Sequence, residues 1–109
     1  MANTFKLKTK ANVGLTTVGI YTAPAATTTV VIGITMSNTS GSGINVGVGI
    51  TRAGTIEDVK LLKNAPIPQG SSLEFMAGNK IVLETTDTLT VDSDTNNSVE
   101  AALTIMEIT

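Results

Sequence analysis

Residues 27–50 read TTTVVIGITMSNTSGSGINVGVGI, and this stretch decides the fold. Val30, Ile32, Ile34 and Met36 alternate with Val31, Gly33, Thr35 and Ser37. Past the turn, Ile44, Val46, Val48 and Ile50 alternate with Asn45, Gly47, Gly49 and Thr51. Side chains along a strand point to opposite faces in turn, so the pattern predicts two strands with one dry face each. The dry sets are expected to be the Val30–Met36 series and the Ile44–Ile50 series. Between them Asn38 to Gly43 (NTSGSG) carries turn chemistry, suited to a hairpin or to a loop that crosses between sheets.

Outward from this centre the same idiom recurs. Phe5 to Lys10 alternates apolar and polar residues and predicts a first strand. Gly14 to Thr22 predicts a second, ended by Pro24, which fixes its own φ and biases Ala23 toward extended backbone. Ala53-Gly54 marks a turn. Ile56 to Leu62 has apolar spacing that suits a short helix or a strand; strand is preferred, because an isolated helix of this length is marginal. Asn64 to Gly70 reads as a loop, since Pro66 and Pro68 lack backbone donors and exclude a central strand. Ser72 to Met76 and Lys80 to Glu84 are expected to pair across Ala77, Gly78 and Asn79. Leu89 and Val91 mark a further strand after a turn at Asp87. Asp92 to Ser98 is the most polar loop, and Val99 to Ile108 is a long final strand.

Short strands about ten residues apart, with turn signals between them, predict an all-β fold. The expected architecture is a two-sheet antiparallel sandwich of about eight strands, with jelly-roll or Greek-key connections; a closed barrel is the alternative. The 109 residues suffice for one domain, 1–109. With two Phe, one Tyr and no Trp, its core must be aliphatic. There is no cysteine, so no disulfide framework is available.

The net charge is −2, and the only basic cluster is Lys6, Lys8 and Lys10. A nucleic-acid partner calls for a broad basic surface with stacking aromatics, so none is expected. The three lysines alternate with Phe5, Leu7 and Thr9 and read as a solvated strand face. No apolar run approaches the roughly 20 residues that span a bilayer, and residues 1–6 lack a signal-peptide pattern, so no membrane partner or secretion is expected.

Chemistry has few candidates. The absence of His and Cys removes the near-neutral acid/base and the thiol nucleophile. A carboxylate pair could act on a glycosidic bond, but sugar sites also want aromatic platforms. No catalytic residue is assigned, and no cofactor. Asp92-Ser-Asp94-Thr-Asn96 places oxygens at alternate positions, as a Ca²⁺ loop does; Asn97 and Leu103 stand where that loop's Gly and Glu belong, so the segment reads as a polar loop and no metal ligand is assigned.

Two features point to contact with other chains. Gly33, Gly47 and Gly49 fall opposite the aliphatic faces. Glycine inside a strand implies close approach of another backbone or a bulge. A flat patch for a second subunit and a purely local twist both remain open. On the patch reading, a bulky residue at Gly47 is expected to weaken docking and leave the domain folded. In the last strand Val99, Ala101, Leu103 and Ile105 take the core phase, leaving Met106 and Ile108 outside. They form an interface, or a bulge near Thr104 turns them inward.

Five segments taken in order resemble a family of small tailed-phage virion proteins: GIYTAPAATTTVVIG (19–33), MSNTSG (36–41), PIPQGSSLE (66–74), GNKIVLE (78–84) and LTIMEI (103–108). Each is a generic strand or turn signal by itself. The resemblance implies a β-sandwich that assembles with copies of itself, a trimer being one arrangement open to it, and docks on the major capsid protein or other virion proteins. It implies a capsid decoration or cement role, in virions assembled in the host cytoplasm, and no enzyme activity. A tail, neck or fibre role is the alternative, as is a glycan-binding module using loops 38–43 and 92–98.

Overall fold

The strand-and-turn pattern folds into nine strands, with no helix among the residues that the computed structural model describes, 2–75 and 80–109. They are β1 (Asn3–Val13), β2 (Val18–Thr22), β3 (Thr28–Asn38), β4 (Ile44–Arg52), β5 (Glu57–Ile67), β6 (Ser72–Phe75), β7 (Ile81–Leu83), β8 (Asp87–Ser93) and β9 (Val99–Ile108). One sheet runs β1-β9-β3, and β6 and β7 share the far edge of β3. The other runs β2-β8-β4-β5. Every pairing is antiparallel. The pairs nest: β1 with β9, β2 with β8, β3 with β6 and β7, β4 with β5. A long hairpin rolled around two sheets gives this order, and it is the jelly roll.

Both sheets contribute to one aliphatic core. Ile34, Met36, Leu83, Leu103 and Ile105 meet Val46, Val48, Leu89, Val91 and Ile67, all essentially removed from water. Each such side chain contributes roughly 1.5–3 kcal/mol. The expected dry series of β4 is borne out in full: Ile44, Val46, Val48 and Ile50 are buried. The series of β3 is borne out only in its second half. Ile34 and Met36 are buried, but nearer the start of the strand Val31 is buried, while Val30 and Ile32 are half-buried. A register shift against β9 between Val31 and Gly33 resets the phase there. An extra residue in one strand of a pair leaves the partner one side chain behind, so strict alternation fails across it.

The loop at 39–43 carries the chain from one sheet to the other and closes no hairpin, because β3 and β4 lie in different sheets. Asn38 organises it. Its side-chain amide donates to the Ser42 carbonyl (2.8 Å) and the Ile67 carbonyl (3.0 Å), and its oxygen accepts from the Ser40 backbone N–H (2.9 Å).

Three other expectations change. Residues 64–67 continue β5 instead of forming a loop. As an edge strand, β5 tolerates Pro66, and Asn64 takes a positive φ (55°) where the register against β4 shifts. β6 and β7 do not pair with each other; both run along β3. The expected strand end at Met76 and turn at 77–79 lie outside the described residues. Ile56 does not open a strand: it sits in the β4–β5 turn, 91% exposed.

Candidate functional site

The outward face of the β1-β9-β3 sheet gathers several apolar side chains in water. Its origin lies in β1, whose alternation is reversed. Lys6, Lys8 and Lys10 lie opposite Ile105, Leu103 and Ala101, on the core-facing phase. Phe5, Leu7 and Thr9 lie opposite Met106, Thr104 and Ala102, on the outward phase. The expected solvated lysine face is thus the inner side of an edge strand, from which long side chains reach solvent past the rim. Inward-pointing charge also blunts an open sheet edge.

Cross-strand register then lines up one row. Phe5 faces Met106, Met106 faces Val30, and Val30 faces Val82. Directly opposed residues share a face, so four apolar side chains cross four strands. Phe5 is 69% exposed, Leu7 65% and Val82 55%; Met106, Ile108 and Val30 are half-buried. In the next row Leu7, Thr104 and Gly33 stand opposite one another. A Cβ on Gly33 meets nothing within 4 Å, so the glycine makes a notch open to solvent. The register irregularity opposite Thr104 lies in β3, so β9 keeps its phase and Met106 and Ile108 stay outward.

Gly47 and Gly49 sit elsewhere. They belong to β4 in the other sheet and are buried by their own chain. A Cβ on Gly47 stands 2.5 Å from Asp92 Oδ1 and 3.2 Å from the Leu62 carbonyl oxygen. One on Gly49 stands 2.9 Å from the Val59 carbonyl oxygen and 3.2 Å from Thr90 Oγ1. Lys60 Nζ lies 3.8 Å from Asp92 Oδ2. These glycines make room for side chains and two backbone carbonyls within the sheet. A bulky residue at Gly47 therefore strains the fold itself, which corrects the expectation that the domain is left intact.

Two clusters of charged and polar groups bond within the chain. Glu107 takes the core phase of β9. Lys6 Nζ lies 2.8 Å from its Oε1, and the Tyr21 hydroxyl donates to its Oε2 at 2.6 Å. The Tyr21 oxygen is also 2.7 Å from Thr29 Oγ1. Tyr21 comes from β2, so this chain of bonds ties the two sheets together. Bonds from Lys6 and then Tyr21 hold the Glu107 carboxyl below its ordinary range, against the effect of burial. Burial, then the Glu107 bond, pushes the Tyr21 hydroxyl up to about 12. A second cluster joins Arg52 to Asp87 (Nε to Oδ1, 3.1 Å) and to Glu84. Asp87 also accepts the Glu84 backbone N–H at 3.0 Å.

The polar loop at 92–98 is likewise occupied with its own chain. Asp94 accepts from the Asn45 backbone N–H (3.1 Å), which together with Thr95 holds its carboxyl below the ordinary range. Asp92 accepts from the Thr17 hydroxyl (3.0 Å). The loop abuts 39–43, the Thr39 backbone N–H donating to the Ser98 carbonyl at 2.8 Å.

Gly33, Met106 and Ile108 stand on the outward phase of their strands, as the alternation predicts, but Phe5, Leu7 and Val82 beside them were not expected there. The signal was present in FKLKTK, yet its phase depends on register against β9, which one strand alone does not carry. The Tyr21–Glu107 bond was not expected either, since its partners lie far apart in the chain.

No protein-family model matches the sequence, and no curated protein matches it. Solved structures do. A chain of the acid-stable capsid of Helicobacter pylori bacteriophage KHP30 is 9% identical, with a TM-score of 0.58 over 98% of this chain and 87% of that one. A chain of the capsid asymmetric unit of cyanophage Pam1 is 16% identical, with a TM-score of 0.56 over 95% and 85%. A chain from the disulfide-linked pili that form Bacillus endospore appendages is 14% identical, with a TM-score of 0.56 over 99% and 87%. At these identities the likeness is one of fold: the present chain shares an all-β jelly-roll architecture with chains of two phage capsids and a pilus.

Proposed function

We propose that this chain is a structural subunit of a tailed-phage virion, a decoration or cement protein that assembles on the major capsid lattice. The observation that carries the reading is the apolar row Phe5–Met106–Val30–Val82, with Leu7 beside it, on the outward face of one sheet. Contiguous exposed apolar side chains mark a surface that another molecule covers. Fold likeness supports the choice of partner. The KHP30 and Pam1 capsid chains are covered over most of their own length, so each is little larger than this one. The segments quoted above resemble phage virion proteins independently of that likeness. The pilus chain fits an assembling role as well, but its fibre is disulfide-linked and the 109 residues here hold no cysteine.

The physical role is cohesion. Each contact of a small sandwich is weak, but a closed shell repeats it by symmetry, and linked contacts raise effective concentration. The 1–109 unit acts as one domain in this reading, with no chemistry of its own. Cryo-electron microscopy of purified particles tests the proposal. The expected result is jelly-roll density on the outside of the capsid at symmetry-related positions. Density confined to the tail or neck overturns the decoration role, and no such density in the particle overturns the structural role.

A further inference from the structure

The free rim of β1 is unlike the other sheet edges. Asn3 to Lys10 pair with Ile108 to Ala101 residue for residue, without a bulge, and no strand pairs with the opposite side of β1 among the described residues. The remaining edges are blunted. β5 carries Pro66 and two register shifts against β4, β2 is short and shifts against β8 between Gly19 and Tyr21, and β6 and β7 are shorter still. A long unbroken edge presents a row of backbone donors and acceptors that templates another strand. The side chains of β1 then select that strand. Lys6, Lys8 and Lys10 share the core-facing phase, and Phe5, Leu7 and Thr9 share the outward one. Lys6 is held by Glu107, whereas Lys8 and Lys10 have no ion-pair partner among the described residues. Phe5 and Leu7 are largely exposed.

We infer that the rim of β1 takes an extended segment of another protein as an added strand, one whose residues alternate between acidic and apolar. Directly opposed residues of an antiparallel pair share a face. Acidic side chains on the inner phase of the added strand therefore meet Lys8 and Lys10, whose ends reach solvent past the rim, and its apolar side chains continue the outward side of Phe5 and Leu7. In this mode backbone bonds give the affinity and alternate side chains give the selectivity. The same lysines reject a second copy. A two-fold pairing of β1 with itself sets each residue opposite one of its own phase, so any extensive overlap brings lysine against lysine. Like charges directly opposed destabilise such a pair. The site is the rim of the sheet, distinct from its outward apolar row, and it holds whether or not the chain is a virion subunit.

Short synthetic peptides of Val-Glu repeats and of Val-Lys repeats test this, titrated into isotope-labelled protein and followed by NMR. The Val-Glu peptide is expected to shift the backbone amides of residues 3–10 and slow their exchange with solvent. The Val-Lys peptide should bind about ten-fold more weakly or not at all. Lys8→Glu and Lys10→Glu together, at side chains that reach solvent, should leave Tm unchanged and reverse that order of preference. A Val-Glu peptide N-methylated throughout keeps its charge, loses its backbone donors and should not bind. No binding of the Val-Glu peptide, or shifts confined to other strands, overturns the inference. Equal binding of the Val-Lys peptide overturns the acidic selectivity on which it rests. Equal binding of the methylated peptide overturns strand addition in favour of simple ionic attraction. The peptide comparison on the parent protein decides the matter even where the double variant loses stability.

Discussion

Three glycines placed in equivalent strand phases meet different surroundings, and their substitutions should separate accordingly. Gly49→Ala puts a Cβ 2.9 Å from a backbone carbonyl, which cannot swing away as a side chain can. It should destabilise by about 1–3 kcal/mol in urea unfolding. Gly33→Ala opens onto solvent and should stay within about 0.5 kcal/mol of the parent. The sequence could single out all three but not sort them. What lies over a strand glycine is decided by partner strands distant in the chain. Glu107 and Tyr21 add a pH signature. The Glu107 carboxyl titrates lower folded than unfolded, so its contribution is present above the unfolded pKa and is lost as pH falls through the folded one. Glu107→Gln should flatten the acid limb of a stability–pH curve. Tyr21 works in the opposite direction: its folded pKa of about 12 lies above the ordinary 10, so its contribution holds below pH 10 and fades as pH rises toward 12. Tyr21→Phe should remove that alkaline loss.

Among the elements, legibility followed phase. β4 and β9 keep one alternation from end to end, and their buried sets were readable directly. β3 changes phase at a bulge, and β1 inverts its phase at a sheet edge, so neither was. A bulge leaves no composition signal in VVIG, and an edge strand's inner side tolerates lysine because its end reaches solvent. The contrast between core and outer face can be measured. Leu103→Ala removes a fully buried side chain and should cost about 2–5 kcal/mol. Leu7→Ser, two-thirds exposed on the neighbouring strand, should change stability by no more than about 0.5 kcal/mol while weakening incorporation into particles. A large stability loss from Leu7→Ser would mean that its face is needed for folding.

For the molecule as a whole, the nested pairing β1–β9, β2–β8, β3–β6/β7, β4–β5 makes a sandwich around one aliphatic core, with Phe5, Leu7 and Val82 exposed on one sheet face and Leu15, Ile56 and Val59 exposed elsewhere. Short alternating segments with turns between them announced two sheets, but the nesting that makes them a jelly roll depends on long-range pairings and came from the structure. The most direct measurement is the stoichiometry of this protein against the major capsid protein in purified virions, by quantitative mass spectrometry. Many copies in a fixed ratio to the capsid lattice are expected. Absence of the protein from purified particles, or a variable trace that washes away, would contradict the virion role.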